Sequence, residues 1–174
     1  LVESFLERAG IPEDWVQVVY GAGDVGSQLI DQRPEKIFFT GSVGTGKKIM
    51  AQASQQLIPV ELELGGKDPM LVFDNVTVER AVQGALWGAL TNVGQSCTSV
   101  ERLYVQRGIY KDFRDRLVAA AKQITLGIDT DGSSDMGRMT SPRQVSIVSE
   151  LVNDAKANGA TLLCGSEWDG KSEF

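Results

Sequence analysis

The sequence contains no histidine at all. That excludes a Ser-His-Asp triad, a Cys-His dyad and any histidine-ligated metal within this chain. A general base here has to be a carboxylate, Lys, Tyr or Cys. Cysteine is nearly absent too: Cys97 and Cys164 are the only two, too few for a thiolate-only zinc site, so no metal is expected. Positive charge is in short supply. Seventeen Lys and Arg against 23 Asp and Glu leave a net charge of −6. Binding to phosphate backbones needs a basic face, so nucleic acid is not expected as a partner. Long hydrophobic runs are missing: stretches such as Met70 to Phe73 are far too short to cross a bilayer, so no membrane partner is expected. Nothing resembles a signal peptide, and the two thiols are expected to be reduced in a cytoplasmic protein. An initiator Met is lacking, the first residues already read as helix, and Lys171 to Phe174 carry no stop signal. The chain therefore reads as an internal piece of a longer one.

What is present is a globular composition, 42% hydrophobic and 23% charged over 174 residues. Leu1 to Ala9 reads as an amphipathic helix closed by Gly10. Val16 to Tyr20 is rich in β-formers, and Gly21 to Gly26 is a glycine turn from which Asp24 caps a short helix to Gln32. A strand over Lys36 to Thr40 leads into a glycine loop, Gly41 to Gly46, and a helix from Thr45 to Ser54. Pro59 to Leu64 alternates, with Val60, Leu62 and Leu64 on one face and Glu61 and Glu63 on the other. Beyond Gly65 and Gly66 the pattern restarts: a strand at Met70 to Phe73, a helix from Thr77 to about Asn92, a loop at Gly94 to Ser99 and a strand at Arg102 to Gln106. A helix from Ile109 to Leu126, a surface loop at Ile128 to Arg138, a helix begun by Ser141 and Pro142 and stopped at Gly159, and a strand from Ala160 to Cys164 complete it. Alternating strands and helices argue for an α/β fold with parallel strands, and the paired glycines mark the candidate domain boundary.

Two glycine motifs follow strands. Gly21-Ala22-Gly23-Asp24-Val25-Gly26 fits G-x-G-x-x-G, but the acidic residue expected about 20 positions on is missing. It is either a dinucleotide fingerprint or a tight strand-to-helix turn. Gly41-Ser42-Val43-Gly44-Thr45-Gly46-Lys47 fits most of a Walker A loop, yet Lys48 stands where Ser or Thr would hold magnesium. That suits a phosphate cradle better than a nucleotide triphosphatase. Glu63 alone is an ordinary solvated strand carboxylate. Cys97 lies in the polar, glycine-bearing loop Gly94-Gln95-Ser96-Cys97-Thr98, where free backbone donors can face a thiolate and an oxyanion. Cys164, among Leu162, Leu163 and Gly165, reads as a small buried hydrophobe.

Taken together, Phe39-Thr40-Gly41-Ser42, then Glu63-Leu64-Gly65-Gly66-Lys67, then Gly94-Gln95-Ser96-Cys97, with Cys97 following Glu63 by 34 positions, resemble the aldehyde dehydrogenase superfamily over essentially the whole chain. The resemblance implies a partial Rossmann-type cofactor domain, residues 1–65, followed by a partial α/β catalytic domain, residues 66–174. It implies Cys97 as the nucleophile, with its own N–H in the oxyanion hole, and Glu63 as the general base. Gly41, Ser42 and Gly46 would lie beside the pyrophosphate of NAD or NADP, Leu64 beside the nicotinamide, and Gly21 and Gly23 nearer the adenine end. The substrate would be a small-molecule aldehyde, oxidised to a carboxylic acid through a hemithioacetal and a thioester on the cysteine. The full-length protein would be a homodimer or homotetramer. An oxyanion-hole Asn, ribose contacts and the oligomerisation strand would lie outside this chain, which alone is expected to be inactive. Two rivals stay open: a P-loop phosphohydrolase, and a domain that keeps the fold without the chemistry.

Overall fold

The computed structural model describes residues 1–127 and 131–165. The start of the loop expected at Ile128 to Arg138, and the chain end at Lys171 to Phe174, lie outside the described residues. The chain divides into two compact units, Leu1–Leu64 and Gly65–Phe174.

In the first unit, α1 (Val2–Arg8) is followed by α2 (Gly23–Asp31), β1 (Ile37–Gly41), α3 (Val43–Ser54) and β2 (Val60–Leu64). Strands β1 and β2 are parallel, with Ile37 opposite Val60 and Gly41 opposite Leu64, so β1–α3–β2 is one βαβ crossover. The alternation read in β2 is realised: Val60, Leu62 and Leu64 are half-buried and Glu61 and Glu63 are exposed. Ile30, Ala53 and Ile58 form the core, with Ile37, Ile49 and Val60 against it. Gln52 joins the two helices, donating from Nε2 to Ser27 O at 3.0 Å and to Asp31 Oδ1 at 2.8 Å.

The second unit repeats the device. Strand β3 (Asp68–Val72) leads into α4 (Val78–Leu90), a short turn (Thr91–Gly94) and β4 (Val100–Val105), again parallel to β3. The register shifts between Asp68 and Pro69, which face Val100 and Arg102 and leave Glu101 as an extra residue that pairs with Lys67. Helices α5 (Tyr110–Ala121) and α6 (Pro142–Ala157) follow. The core is Val72, Ala81, Val82, Ala85 and Phe113, backed by Met70, Leu103, Val105 and Leu117. Phe113 from α5 is 2% exposed and is the largest fully buried side chain described. Phe113→Ala is expected to cost about 3–5 kcal/mol, because the cavity it leaves is walled by strand and helix residues that cannot all collapse inward. Urea denaturation of parent and variant measures this, and a difference under about 1 kcal/mol would show that Phe113 does not anchor the unit.

Several expectations are corrected. Val16 to Tyr20 and Ala160 to Cys164 are not strands: neither run has a ladder partner among the described residues, and β-composition without a partner makes no sheet. Asp24 does not cap α2; Ala22 holds the N-cap position and Asp24 sits within the first turn. The glycine loop at Gly41 to Gly46 shrinks to a single residue. Helix α3 starts at Val43, because Ser42 Oγ accepts from Thr45 N at 3.2 Å and caps it. Helix α5 stops at Ala121, short of Leu126. The Asp135 carboxylate accepts from Thr125 N at 2.8 Å and Thr125 Oγ1 at 2.7 Å, and Leu126 bridges to Met136 instead of continuing the helix. Those donors hold the Asp135 carboxyl below its ordinary value. Ser141 does cap α6, its side chain accepting from Gln144 N, with Pro142 at the first position and Gly159 left-handed past the end.

Candidate active site

The first unit gathers five of the expected site residues at one end of its crossover. Gly41 closes β1 opposite Leu64, Thr40 faces Glu63 across the ladder, and Ser42 turns directly into α3. Gly46 is buried in the first turns of α3. A Cβ there would meet Leu64 Cδ2 at 2.9 Å, so this glycine lets helix and strand close on each other. Its N–H is spent on Ser42 O at 2.9 Å. The open donors of the helix start are therefore Val43 and Gly44, whose N–H groups have no intramolecular acceptor among the described residues. Around Gly44 there is room: a Cβ would meet only Ser42 Oγ, at 4.0 Å. Composition alone pointed to the glycines here; the Ser42-x-x-Thr45 spacing of a helix cap was the signal for the true arrangement. Because Gly46 and Lys47 lie inside α3, no six-residue Walker-type loop wraps this position.

Glu63 is exposed on the outer face of β2 and has no ion pair or hydrogen bond among the described residues. Its neighbour on that face, Glu61, is engaged: Lys36 Nζ donates to it at 2.8 Å and holds its carboxyl below the ordinary carboxylate value. Gly21 and Gly23 stand apart from this cluster at the start of α2. A Cβ on Gly21, just ahead of α2, would strike Val25 of that helix at 2.2 Å, and one on Gly23 would find open space.

In the second unit Cys97 is exposed, in the loop that joins the end of α4 to β4. Neither its N–H nor its sulfur makes a hydrogen bond among the described residues. The loop is entered through three consecutive left-handed residues, Asn92 (φ 53°), Val93 (φ 62°) and Gly94 (φ 70°). For a β-branched residue such as Val93 that conformation costs about 1–2 kcal/mol, so the surroundings have to enforce it. Gly94 has a further reason to be glycine, since a Cβ would lie 2.9 Å from Ala89 O. The exit is fixed by Ser99, 4% exposed, whose hydroxyl lies 3.3 Å from both Gly88 O and Ala89 O. Ser99 and Gln95, which flank the thiol, were not singled out by sequence reasoning. Cys164 is half-buried. Among the described residues no cluster of His, Cys, Asp or Glu has the makings of a metal site, and no helix is long and apolar enough to cross a membrane.

Two parallel βαβ units, one with a capped, glycine-lined helix start at a strand end and the other with an exposed cysteine after its crossover helix, make this an α/β protein. The chain belongs to the aldehyde dehydrogenase family, whose sequence profile matches residues 1–174. It is 44% identical over 160 residues to a 4,4'-diapolycopene aldehyde oxidase of Methylomonas sp, covering 92% of this chain and 30% of that one. It is 42% identical over 166 residues to a betaine aldehyde dehydrogenase of Brucella ovis, covering 95% and 34%. The crystal structure of Staphylococcus aureus betaine aldehyde dehydrogenase in complex with NAD+ superposes with a TM-score of 0.93 at 33% identity, covering 98% of this chain and 34% of that one. An Escherichia coli structure described as an NADP dependent enzyme superposes with a TM-score of 0.92 at 35% identity, covering 98% and 36%. The chain spans about a third of the length of the curated relatives it matches.

Proposed function

We propose that this chain carries the nucleophile and the general base of an aldehyde dehydrogenase that oxidises an aldehyde to a carboxylic acid with NAD+ or NADP+. The observation that carries the reading is Cys97: a thiol exposed to solvent, with an N–H that has no acceptor among the described residues, in a chain of this family. The Cys97 thiolate adds to the carbonyl carbon, a C–S bond forms, and the carbonyl π electrons move onto oxygen. The Cys97 N–H donates to that oxyanion. Such a donor matters most as negative charge develops in the transition state. The bound dinucleotide supplies the acceptor for the hydride that leaves this adduct, after which Cys97 carries a thioester. Glu63 takes a proton from the water that attacks the thioester; the C–S bond breaks, the sulfur leaves as thiolate, and the carboxylic acid is released.

The start of α3 fits a dinucleotide. Val43 and Gly44 offer unpaired N–H groups at the positive end of a 12-residue helix, with open space at Gly44. In this reading Ser42 and Gly41 bring the backbone against the pyrophosphate, Gly46 acts by letting Leu64 close on the helix, and Leu64 adjoins the nicotinamide. Gly21 and Gly23 serve toward the adenine end, away from the reacting atoms. The arrangement disfavours the phosphohydrolase reading, since the loop that would wrap a triphosphate is replaced by one capping serine.

Limited alkylation tests the assignment. Iodoacetamide at substoichiometric dose is expected to label Cys97 ahead of Cys164 in the full-length enzyme, with loss of activity tracking the Cys97 label. Preferential labelling of Cys164, or full activity after Cys97 is blocked, would contradict it.

A further inference from the structure

Among the described residues, one side chain of the loop that presents Cys97 hydrogen-bonds to chain outside its own crossover. Ser96, Cys97 and Thr98 are exposed, and among the described residues their hydrogen bonds stay inside the loop: Ser96 Oγ lies 3.1 Å from Thr98 Oγ1 and accepts from Thr98 N at 3.4 Å, and Ser96 O accepts from Ser99 N at 3.2 Å. Where Cys97 stands therefore depends on the two residues that bracket this tripeptide. Ser99, on the exit side, is tied to α4, which is part of the same crossover. Gln95, on the entry side, reaches chain 45 residues away. Its Oε1 accepts from Thr140 N at 2.9 Å and from Thr140 Oγ1 at 2.8 Å. Thr140 immediately precedes Ser141, the cap of α6, so its position is set by that helix. The other end of the same amide, Nε2, donates to Asn92 O at 3.1 Å, and Asn92 Nδ2 donates back to Gln95 O at 3.1 Å. Gln95 N also donates to Asn92 O at 3.1 Å.

We propose that Gln95 is the positioning residue for the nucleophile, clamping the strained Asn92–Gly94 turn to Thr140 at the head of α6 and so fixing where the Cys97 sulfur and N–H point. The chemistry of the side chain fits this use. A primary amide has an acceptor and donors on opposite corners of one plane, so one group satisfies Thr140 and Asn92 at once. Two donors converge on Oε1 alone, an arrangement an apolar side chain of equal length cannot reproduce. The left-handed Val93 supplies the need for a clamp, since its strain relaxes if the turn is released. Between Gln95 and Ser99 the loop buries no side chain, so core packing does not restore its path. Gln95 does not touch substrate in this account; it acts through the loop. The inference rests on Cys97 being the nucleophile.

The test uses the full-length enzyme with NAD+ or NADP+ and a short aliphatic aldehyde. Stopped-flow absorbance follows the burst of reduced cofactor, and a fluorescence titration gives the cofactor Kd. Cys97→Ala is run first: a surviving burst would sink the nucleophile assignment itself, separately from the clamp. Given a silent Cys97→Ala, Gln95→Met is expected to slow the burst about 10- to 100-fold, the scale of a displacement near 1 Å at a reacting atom. The cofactor Kd should stay within about twofold, since the cofactor-binding residues belong to the other unit. Thr140→Val, which keeps the backbone donor and loses the hydroxyl, is expected to give part of that loss, and Thr140→Ser to restore the burst. The double variant Gln95→Met with Thr140→Val should be no slower than Gln95→Met alone, because both remove one linkage. A Gln95→Met burst within about threefold of the parent would overturn the clamp, as would additive losses in the double variant. If Gln95→Met fails to fold, the Thr140→Val and Thr140→Ser pair decides the question: equal burst rates in the two would overturn it.

Discussion

Cys97→Ala is expected to remove aldehyde-dependent cofactor reduction from the full-length enzyme, by about 10⁴-fold or more in kcat, while leaving the fold and cofactor binding in place. The size follows from the chemistry: without the sulfur there is no covalent adduct from which hydride can leave, and no other side chain in the loop replaces it. Ser96 and Thr98 offer hydroxyls, but a hydroxyl is a far weaker nucleophile than a thiolate and needs a base hydrogen-bonded to it, whereas these two hydroxyls are paired with each other. Stability should hardly change. Cys97 is exposed and makes no hydrogen bond among the described residues, so the substitution removes no buried volume and orphans no partner. Thermal denaturation, a cofactor titration and pre-steady-state absorbance together check the three statements. Retention of more than about 1% of parent kcat would place the nucleophile elsewhere. A collapse in melting temperature would give Cys97 a structural role that its exposure argues against.

What was legible in the sequence was whatever rests on neighbours along the chain. The Val60, Leu62 and Leu64 face of β2 was visible because strand alternation is local. The α6 boundaries were visible because Ser141, Pro142 and Gly159 act on their own backbone. Cys97 stood out because the polar residues around it are sequence neighbours. What was hidden depends on contacts made at a distance. Val16 to Tyr20 has the composition of a strand and no partner, and composition does not reveal pairing. The early end of α5 is set by Asp135, ten residues past Thr125. Gly46 looked like a loop glycine, but it lies inside helix α3, and what it makes room for is Leu64 on another element. The left-handed turn at Asn92 and Val93 had no marker, since a valine there is the opposite of what the backbone prefers. Gln95 belonged to the motif that was noticed and still escaped notice, because its partner Thr140 is visible only in the folded unit.

Glu63→Gln is expected to separate the two halves of the reaction. Oxidation of the bound aldehyde needs the thiolate, the oxyanion donor and the cofactor, and none of these is Glu63. The first turnover should therefore proceed, with a burst of reduced cofactor of near-parent amplitude. Release of the acid needs a base for water, and a positioned base contributes about 10²–10⁴-fold. Steady-state turnover should fall by that factor as thioester accumulates. The amide preserves the shape of the side chain, and Glu63 gives up no ion pair or hydrogen bond among the described residues, so the strand should be undisturbed. Glu61 cannot stand in, although it shares the face, because its carboxylate is already held by Lys36. Glu61→Gln is accordingly the control, with turnover within about threefold of the parent. A second readout isolates the step. Hydroxylamine attacks thioesters without needing a base to deprotonate it, so adding it should restore much of the turnover of Glu63→Gln and yield a hydroxamate in place of the acid. Stopped-flow absorbance, mass spectrometry of the trapped acyl-enzyme and the hydroxamate yield test these statements in one series. Loss of the burst together with a normal steady state, or a Glu63→Gln enzyme that hydrolyses its thioester at the parent rate, would remove Glu63 from the role of base.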